Sequence, residues 1–194
     1  MLNSLIETDY HLFRLINQEW TNPVLDIVMP IIRNQFTWVP VYFFLLSFGY
    51  HHFRKRLLLW VGLFLLTFAL TDLISTQIFK AYFERPRPCW NMATQSQARM
   101  LIPCSHAFSF VSSHAANHFG ISTFIFITLS PFFRRRFLSI VFLWAMMVCM
   151  AQVYVGAHFP GDVAGGGLLG ILIGIVTGKL SARFHPLQTF DNNP

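Results

Sequence analysis

The sequence has little charge. Only 11% of its 194 residues are Asp, Glu, Lys or Arg, whereas 54% are hydrophobic and the mean hydropathy is +0.50. Soluble domains carry about 25% charged residues, so this chain has too little polar surface to cover a water-soluble globule. The composition therefore excludes an ordinary soluble protein and predicts one membrane domain over residues 1–194.

The net charge of +6 is concentrated in short clusters at the ends of apolar runs. The clusters are Arg54–Arg56, Arg134–Arg136 and the pair Lys179 and Arg183. This placement is typical of membrane topology signals and not of a solvated basic face. It argues against a nucleic-acid partner and for a bilayer around the chain.

Apolar runs within residues 36–183 predict an all-α integral membrane helical bundle with about five transmembrane helices. Helices are expected because a segment in lipid must satisfy its backbone hydrogen bonds internally. The runs are Phe36–Tyr50, Leu57–Phe79, Phe108–Phe133, Phe137–Val155 and Val163–Leu180.

Residues 1–33 contain no apolar run as long as these five. Apolar residues recur there at helical spacing from Leu2 to Ile16, and Pro23 is typical of a first helical position. The segment lacks the basic start and small-residue cleavage site of a signal peptide. We expect two short N-terminal helices at the membrane interface.

The basic clusters also predict the orientation of the bundle. With about five spans, all of these clusters fall on one side, which the positive-inside rule assigns to the cytoplasm. The opposite side then holds the longest polar stretch, residues 82–107. Because long loops in tight proteins are often functional, we expect an outer active-site loop here.

Cysteine is scarce, with three residues in the chain. Cys89 and Cys104 both lie in the predicted outer loop, where an oxidising environment favours a disulfide. The bridge would close a loop of about 15 residues, worth roughly 3 kcal/mol. Two free thiols are the alternative, and Cys149 is expected to be a small core residue.

Polar residues are concentrated near the predicted outer ends of the spans, where burial in lipid is costly without a functional reason. Each lies at the end of a helix that reaches the same membrane face, so we expect them to converge in one pocket. They are Lys80, Arg85, Arg87, Ser112, Ser113, His114, Gln152, His158 and Asp162.

The cations in this set predict an anion site. Lys80 and Arg87 supply positive charge, and a guanidinium group matches the oxygens of a phosphate. A helix that begins near Ser112 would also point its free amides at an anion. Together these groups favour phosphate as the ligand.

The histidines predict the chemistry. His158 and Asp162 are typical of a base or nucleophile and the carboxylate that orients it. His114 is then available to protonate a leaving oxygen. The set favours phosphoryl transfer over simple binding.

Three motifs in order resemble the signature of the type 2 phosphatidic acid phosphatase family of bacterial membrane lipid phosphatases. The first motif, Lys, six residues and Arg-Pro, fits Lys80–Pro88. The second, Pro-Ser-Gly-His, is Val-Ser-Ser-His at Val111–His114. The third, Ser-Arg, five residues, His, three residues and Asp, matches Ala151–Asp162 except at its first two positions.

The resemblance implies a mechanism without metal or other cofactor. His158 would attack phosphorus and form a phosphohistidine, Asp162 would hold His158, and His114 would protonate the departing lipid oxygen and then activate water. The phosphate-binding residues, partly implied and partly expected from their position, are Lys80, Arg85, Arg87, Ser112, Ser113 and Gln152.

The resemblance also implies a setting. The expected substrate is a lipid phosphate such as undecaprenyl diphosphate, phosphatidylglycerol phosphate, phosphatidate or a phosphate of lipid A. The expected location is the bacterial cytoplasmic (inner) membrane, crossed several times, with the active site facing the periplasm or exterior. Nothing in the sequence addresses oligomeric state.

One motif position departs from the family, because its arginine is Gln152 here. A neutral hydrogen bond is roughly half as strong as a charge-assisted one. Three interpretations stay open: Arg85 substitutes for it in space, the protein is a weakly active or merely lipid-phosphate-binding relative, or the glutamine is a change made to trap a substrate.

Two other function classes compete with a phosphatase. His114, His118, His158 and Asp162 could bind zinc or iron, although the neighbouring cations would repel a metal. Intramembrane charges could instead serve a transporter or a binding protein. Chelator sensitivity and turnover of a lipid phosphate separate these possibilities.

Overall fold

Residues 2–184 are described by a computed structural model, and within that range no strand occurs. The prediction of an all-α bundle is therefore confirmed; Met1 and residues 185–194 of the predicted domain lie outside the described residues. In chain order the α-helices are α1 Leu2–Arg14, α2 Pro23–Arg33, α3 Val39–Phe53, α4 Leu57–Leu73, α5 Lys80–Phe83, α6 Ser113–Leu129, α7 Arg135–Leu138, α8 Ile140–Tyr154 and α9 Pro160–Phe184.

Three helical stretches in the described range are long and apolar enough to cross a membrane, namely Leu57–Phe83, Arg135–Tyr154 and Pro160–Phe184. In the first of them a π-helical segment, Ile74–Phe79, joins α4 to α5 without a break. Helices α3 and α6 contain only 15 and 17 residues. The expected count of about five spans therefore stays a prediction.

The third predicted run begins later than expected. Its first helical residue is Ser113 and not Phe108, because Ser112 is the N-cap of α6 and its Oγ accepts a hydrogen bond from the Ala115 amide at 3.4 Å. Serine favours this position because its side chain satisfies a free amide of the first turn. The loop that follows α5 consequently extends to Ser112, past the predicted limit at Ala107.

The N-terminal helices exist as predicted, and they pack on the bundle. Phe13 is fully buried in an apolar cluster with Tyr154 and Phe159. Helix α2 begins with Pro23 and is capped by Asn22, whose side chain accepts a hydrogen bond from the Val24 amide at 2.8 Å. Their position at the membrane interface stays a prediction.

The most extensive helix pair in the described bundle is α6 with α9. Glycines recur every fourth residue along α9, at Gly166, Gly170, Gly174 and Gly178, and they lie against α6. Such a ridge without side chains lets two helix backbones approach closely. Asp162 lies one step earlier on this ridge and is fully buried.

A disulfide between Cys89 and Cys104 closes the long loop. The two Cα atoms are 6.4 Å apart, which lies within the usual range for a bridge. Arg87 and Ala107 flank this closed segment and are joined by a hydrogen bond of 2.7 Å between Nε of the arginine and the carbonyl of the alanine. The bridge therefore restrains the loop that carries Arg87.

The glycine ridge predicts a specific sensitivity to substitution. A Cβ atom at Gly170 would meet the backbone nitrogen of Gly120 at 2.8 Å, so Gly170→Ala must push α9 away from α6. We expect a loss of about 1–3 kcal/mol in the free energy of unfolding. Thermal unfolding in detergent measures it.

The matched control is Gly62→Ala. A Cβ atom at Gly62 meets nothing within 4 Å, and alanine is the better helix former. This variant should unfold at the same or a higher temperature than the unsubstituted protein. Equal unfolding temperatures for the two alanine variants would contradict the close-packing argument.

Candidate active site

A cavity of about 790 Å³ opens among the helices. Six of the predicted site residues line it: Lys80, Arg87, Ser113, His114, Gln152 and His158. They come from α5, the following loop, α6, α8 and the turn before α9. The structure thus brings together residues that are distant in sequence, whereas Arg85, Ser112 and Asp162 are absent from the lining.

His158 and Asp162 are in contact at the base of the cavity. The Nδ1 atom of His158 lies 3.5 Å from Oδ2 of Asp162, and Asp162 is fully buried. Since Nδ1 faces the carboxylate, Nε2 is the ring nitrogen available to a ligand. Burial lowers the pKa of His158 to about 4 despite the opposing effect of Asp162, so the imidazole is neutral near pH 7 and keeps a free lone pair.

Asp162 is held on both of its oxygens. Oδ2 accepts hydrogen bonds from the Ser109 hydroxyl and from the Phe159 amide, the latter at 2.9 Å. Oδ1 accepts from the guanidinium of Arg85 at 2.7 Å. A carboxylate with both oxygens hydrogen-bonded in this way is held in one orientation, and its contact with Nδ1 orients His158.

Arg85 is engaged by two carboxylates. Besides Asp162, its guanidinium contacts Oδ2 of Asp9 at 2.7 Å, and the other oxygen of Asp9 accepts a hydrogen bond from the Gly161 amide at 2.6 Å. Its positive charge is therefore paired with the carboxylates of Asp9 and Asp162, and Arg85 is absent from the cavity lining. This geometry does not support Arg85 as a phosphate ligand or as the substitute for the motif arginine at position 152.

Arg87 is oriented by the backbone. Nε donates to the Ala107 carbonyl at 2.7 Å, and a terminal nitrogen donates to the Ala157 carbonyl at 3.1 Å. Lys80 also lines the cavity and makes no hydrogen bond or ion pair within the described residues. Neither cation has a carboxylate at ion-pair distance among those residues, so both charges are available to an anion.

The start of α6 meets the start of α9 beside this lining. The Ser112 amide donates to the Asp162 carbonyl at 2.9 Å, which aligns the two helix ends. Ser113 accepts a hydrogen bond from the Ser75 hydroxyl at 2.9 Å, and His114 lines the cavity next to it. Ser112 is fully buried as the cap of α6, and it is absent from the cavity lining.

Gln152 is buried without polar contacts. Its side chain is fully buried and lines the cavity, and neither amide atom has a hydrogen-bond partner in the part of the chain that the structure describes. A buried amide without partners costs about 1–3 kcal/mol. Such a group marks the place where a ligand or water supplies the missing bonds.

The residues of the competing metal hypothesis do not form a metal cluster. No group of three or more His, Cys, Asp or Glu residues with suitable spacing occurs within residues 2–184. Nδ1 of His118 instead contacts the His114 carbonyl at 2.9 Å. His118 therefore contributes to helix packing beside the site.

Three residues of the site region were missed by sequence reasoning. Ser109 and Asp9 act on Asp162 from outside the motifs, and Arg33 lines the cavity from the end of α2. None of them carries a local signal, because a serine in a loop, an acid in an amphipathic helix and a basic residue at a helix end are all ordinary. The docking of α1 and α2 reveals the positions of Asp9 and Arg33, and the fold of the loop before α6 reveals that of Ser109.

Curated relatives resemble this chain along most of its length. A lipid A 4'-phosphatase of Bacteroides thetaiotaomicron is 29% identical over 193 residues, which cover 95% of this chain and 84% of that protein. Phosphatidylglycerophosphatase B of Bacillus subtilis is 28% identical over 167 residues, which cover 82% of this chain and 74% of that protein.

Solved structures share the fold. The crystal structure of Aquifex aeolicus LpxE aligns with a TM-score of 0.69 at 32% identity, covering 88% of this chain and 94% of that one. A transmembrane PAP2 type phosphatidylglycerolphosphate phosphatase from Bacillus subtilis aligns with a TM-score of 0.76 at 24% identity, covering 96% and 90%. The second likeness concerns the fold alone.

A sequence model of the PAP2 superfamily matches residues 57–185, a range that contains all three motifs. The resemblance that the motifs indicated is thereby confirmed. The chain belongs to the PAP2 superfamily.

Proposed function

We propose that this chain is a metal-independent phosphatase that hydrolyses a phosphomonoester or diphosphate of a membrane lipid through a phosphohistidine on His158. One observation carries the proposal: a buried histidine held by Asp162 lines a cavity that also contains Lys80 and Arg87. This is the arrangement of a nucleophile, its orienting carboxylate and the charges that stabilise a phosphoryl group.

In the first step, Nε2 of His158 forms a bond to phosphorus while the bond from phosphorus to the lipid oxygen breaks. His114, protonated when phosphate is bound, gives its proton to that oxygen. The lipid leaves as an alcohol or, from a diphosphate, as a monophosphate. The negative charge of the bound phosphate favours the protonated form of His114.

In the second step, His114 is neutral and takes a proton from water. The water oxygen forms a bond to phosphorus, and the bond between phosphorus and Nε2 breaks. Inorganic phosphate leaves, and both histidines return to their starting forms. Lys80 and Arg87 bear the charge on the phosphoryl oxygens throughout.

The apolar part of the lining supports a lipid substrate. Side chains of α3 and α4 and of the turn before α3 extend the cavity away from the motif residues, among them Phe36, Val39, Tyr42, Phe64, Leu65 and Phe68. Such a wall suits an acyl or isoprenoid chain, whose burial stabilises the complex by about 0.8 kcal/mol per methylene. The names of the relatives support lipid A phosphates and phosphatidylglycerol phosphate as candidates, beside phosphatidate and undecaprenyl diphosphate.

Charge placement supports an active site on the outer leaflet of the bacterial inner membrane. Arg54 and Arg56 are exposed at the start of Leu57–Phe83, whereas Lys80 lies near its other end. A helix of that length spans about 40 Å. By the positive-inside rule the arginines face the cytoplasm, so the cavity faces the periplasm or exterior.

The competing function is a lipid-phosphate-binding or transport protein with impaired catalysis. Gln152, which lacks the charge of the motif arginine, favours it. Turnover separates the two functions, because a binding protein retains the lipid without releasing phosphate.

We predict that His158→Ala lowers phosphate release by roughly 10³-fold or more, because it removes the nucleophile. Release is measured in detergent with EDTA from a panel of lipid phosphates. The matched control is His11→Ala, an exposed histidine of α1, which should retain full activity. Equal activity of His158→Ala and His11→Ala would refute the mechanism, and strong inhibition by EDTA would favour the metal hypothesis.

We also predict that Asp9→Asn lowers kcat roughly tenfold with little change in KM, because a loosened Arg85 no longer fixes Asp162 and His158. Asp9 is a positioning residue that lies outside the cavity lining. The control is Glu7→Gln, an exposed acid on the same helix. A change in KM alone, or equal kcat for the two variants, would argue against the positioning role.

A further inference from the structure

Arg33 is a cavity cation that belongs to none of the three motifs. It is the last residue of α2, and it lines the same cavity as Lys80, Arg87 and His158. Its Nε atom is buried and lacks a hydrogen-bond partner among the described residues. No carboxylate of the described chain lies at ion-pair distance from its guanidinium. A guanidinium that has no carboxylate partner and whose Nε is buried without a hydrogen bond is costly, so its place in a binding cavity points to an anionic ligand.

The charges around Arg33 strengthen this argument. The pKa of Arg87 is lowered, chiefly by burial; Asp162 opposes the shift, whereas the positive charge of Arg33 adds to it. Arg33 therefore lies close enough to Arg87 for the two charges to repel each other. With Lys80 the cavity holds three cations, and Asp72, the acid that also lines it, is already a hydrogen-bond acceptor for Asn117 at 3.3 Å. A bound phosphate would relieve the repulsion.

Helix α2 is attached to the helix that carries Gln152. The Tyr154 hydroxyl of α8 donates to Asp26 of α2 at 2.6 Å, and it accepts a hydrogen bond from the Asn22 amide at 3.2 Å. Arg99 of the loop adds an ion pair to Asp26 at 2.7 Å. These contacts fix the direction of α2 and so bring its C-terminal arginine to the cavity that Gln152 also lines.

Position 152 is where the family motif places an arginine. The side chain of Gln152 is fully buried beside the cavity and both of its amide atoms lack partners in the described structure. The cavity thus lacks the guanidinium that the motif places on α8 at position 152, and it contains the guanidinium of Arg33 from α2. The two observations are independent, since one concerns a residue that is missing from a motif and the other a residue that no motif contains.

We propose that Arg33 binds the phosphate group that is transferred to His158 and supplies the positive charge that the motif places at position 152. The proposal rests on the proposed lipid phosphatase function for its substrate. It assigns to the N-terminal helices a direct part in substrate binding.

The test is a double-mutant cycle in the full chain, with Arg33→Gln, Gln152→Arg and the two combined. Two quantities are measured in detergent: binding of inorganic phosphate by calorimetry and kcat/KM for a lipid monophosphate. Loss of one charge-assisted contact should weaken phosphate binding and lower kcat/KM by about tenfold to a hundredfold in Arg33→Gln. Arg14→Gln, an exposed arginine of α1, is the matched control and should change neither quantity.

The combined variant gives the decisive result. The combined variant should bind phosphate at least tenfold more tightly than Arg33→Gln and have a kcat/KM at least tenfold higher, because Gln152→Arg returns a guanidinium to the cavity. In the unsubstituted background the same change should give a smaller gain or a loss, because it adds a fourth cation. A merely structural role of Arg33 predicts no rescue. Absence of rescue in phosphate binding, or in kcat/KM where the unsubstituted protein turns over the lipid, would overturn the proposal.

Two further outcomes are informative. If Arg33→Gln leaves phosphate binding intact and impairs only lipids with a second phosphate, Arg33 contacts that second group and the assignment to the transferred phosphate is wrong. If no lipid phosphate is turned over by any variant while Arg33→Gln still weakens phosphate binding and Gln152→Arg restores it, the proposed function fails and phosphate binding by Arg33 stands. Indistinguishable phosphate binding by Arg33→Gln and Arg14→Gln would contradict the proposal directly.

Discussion

The close contact between α6 and α9 is the constraint on which the site depends. Glycines on α9 allow the backbones to approach, and at the outer end of the contact the Ser112 amide bonds the Asp162 carbonyl at 2.9 Å. This bond sets the register between the motif of α6 and the motif before α9. A catalytic arrangement needs its groups held within a fraction of an ångström. Two helices that meet through backbone atoms are more rigid than two that meet through flexible side chains.

The cations of the site region fall into two groups, those that pair with a carboxylate of the protein and those that do not. Arg85 is paired with Asp9 and Asp162, and it holds the carboxylate that contacts His158. Lys80 and Arg87 have no such carboxylate partner among the described residues, and they line the cavity. A cation whose charge is satisfied inside the protein positions other groups, whereas an unsatisfied cation is poised for an anion. Arg85 and Arg87 therefore differ in role although both precede a proline in the same Arg-Pro-Arg-Pro sequence.

Much of the site was predictable from sequence because motif spacing links residue type to helix ends. Lys80, His114 and His158 were expected in one pocket, and the structure brings them there. The role of Arg85 was not predictable, because its partner Asp9 lies 76 residues away on a helix whose docking no local pattern specifies. The apolar run placed the start of α6 too early, at Phe108, because apolar residues before Ser112 extended it into a loop. The argument for an anion site, by contrast, expected a helix that begins near Ser112, as the structure has it.

The N-terminal helices bear on the replacement of the motif arginine by Gln152, because they bring residues of their own to the site. Residues 57–185 match the family, yet Asp9 and Arg33 reach the site from outside that range. An exchange such as arginine to glutamine at position 152 removes a charge from one helix. The binding energy for phosphate depends on the total charge and its geometry in the cavity and not on which helix supplies it. A cation at the end of a packed neighbouring helix can therefore take over the contact, so a motif that looks incomplete in sequence can still describe a complete site.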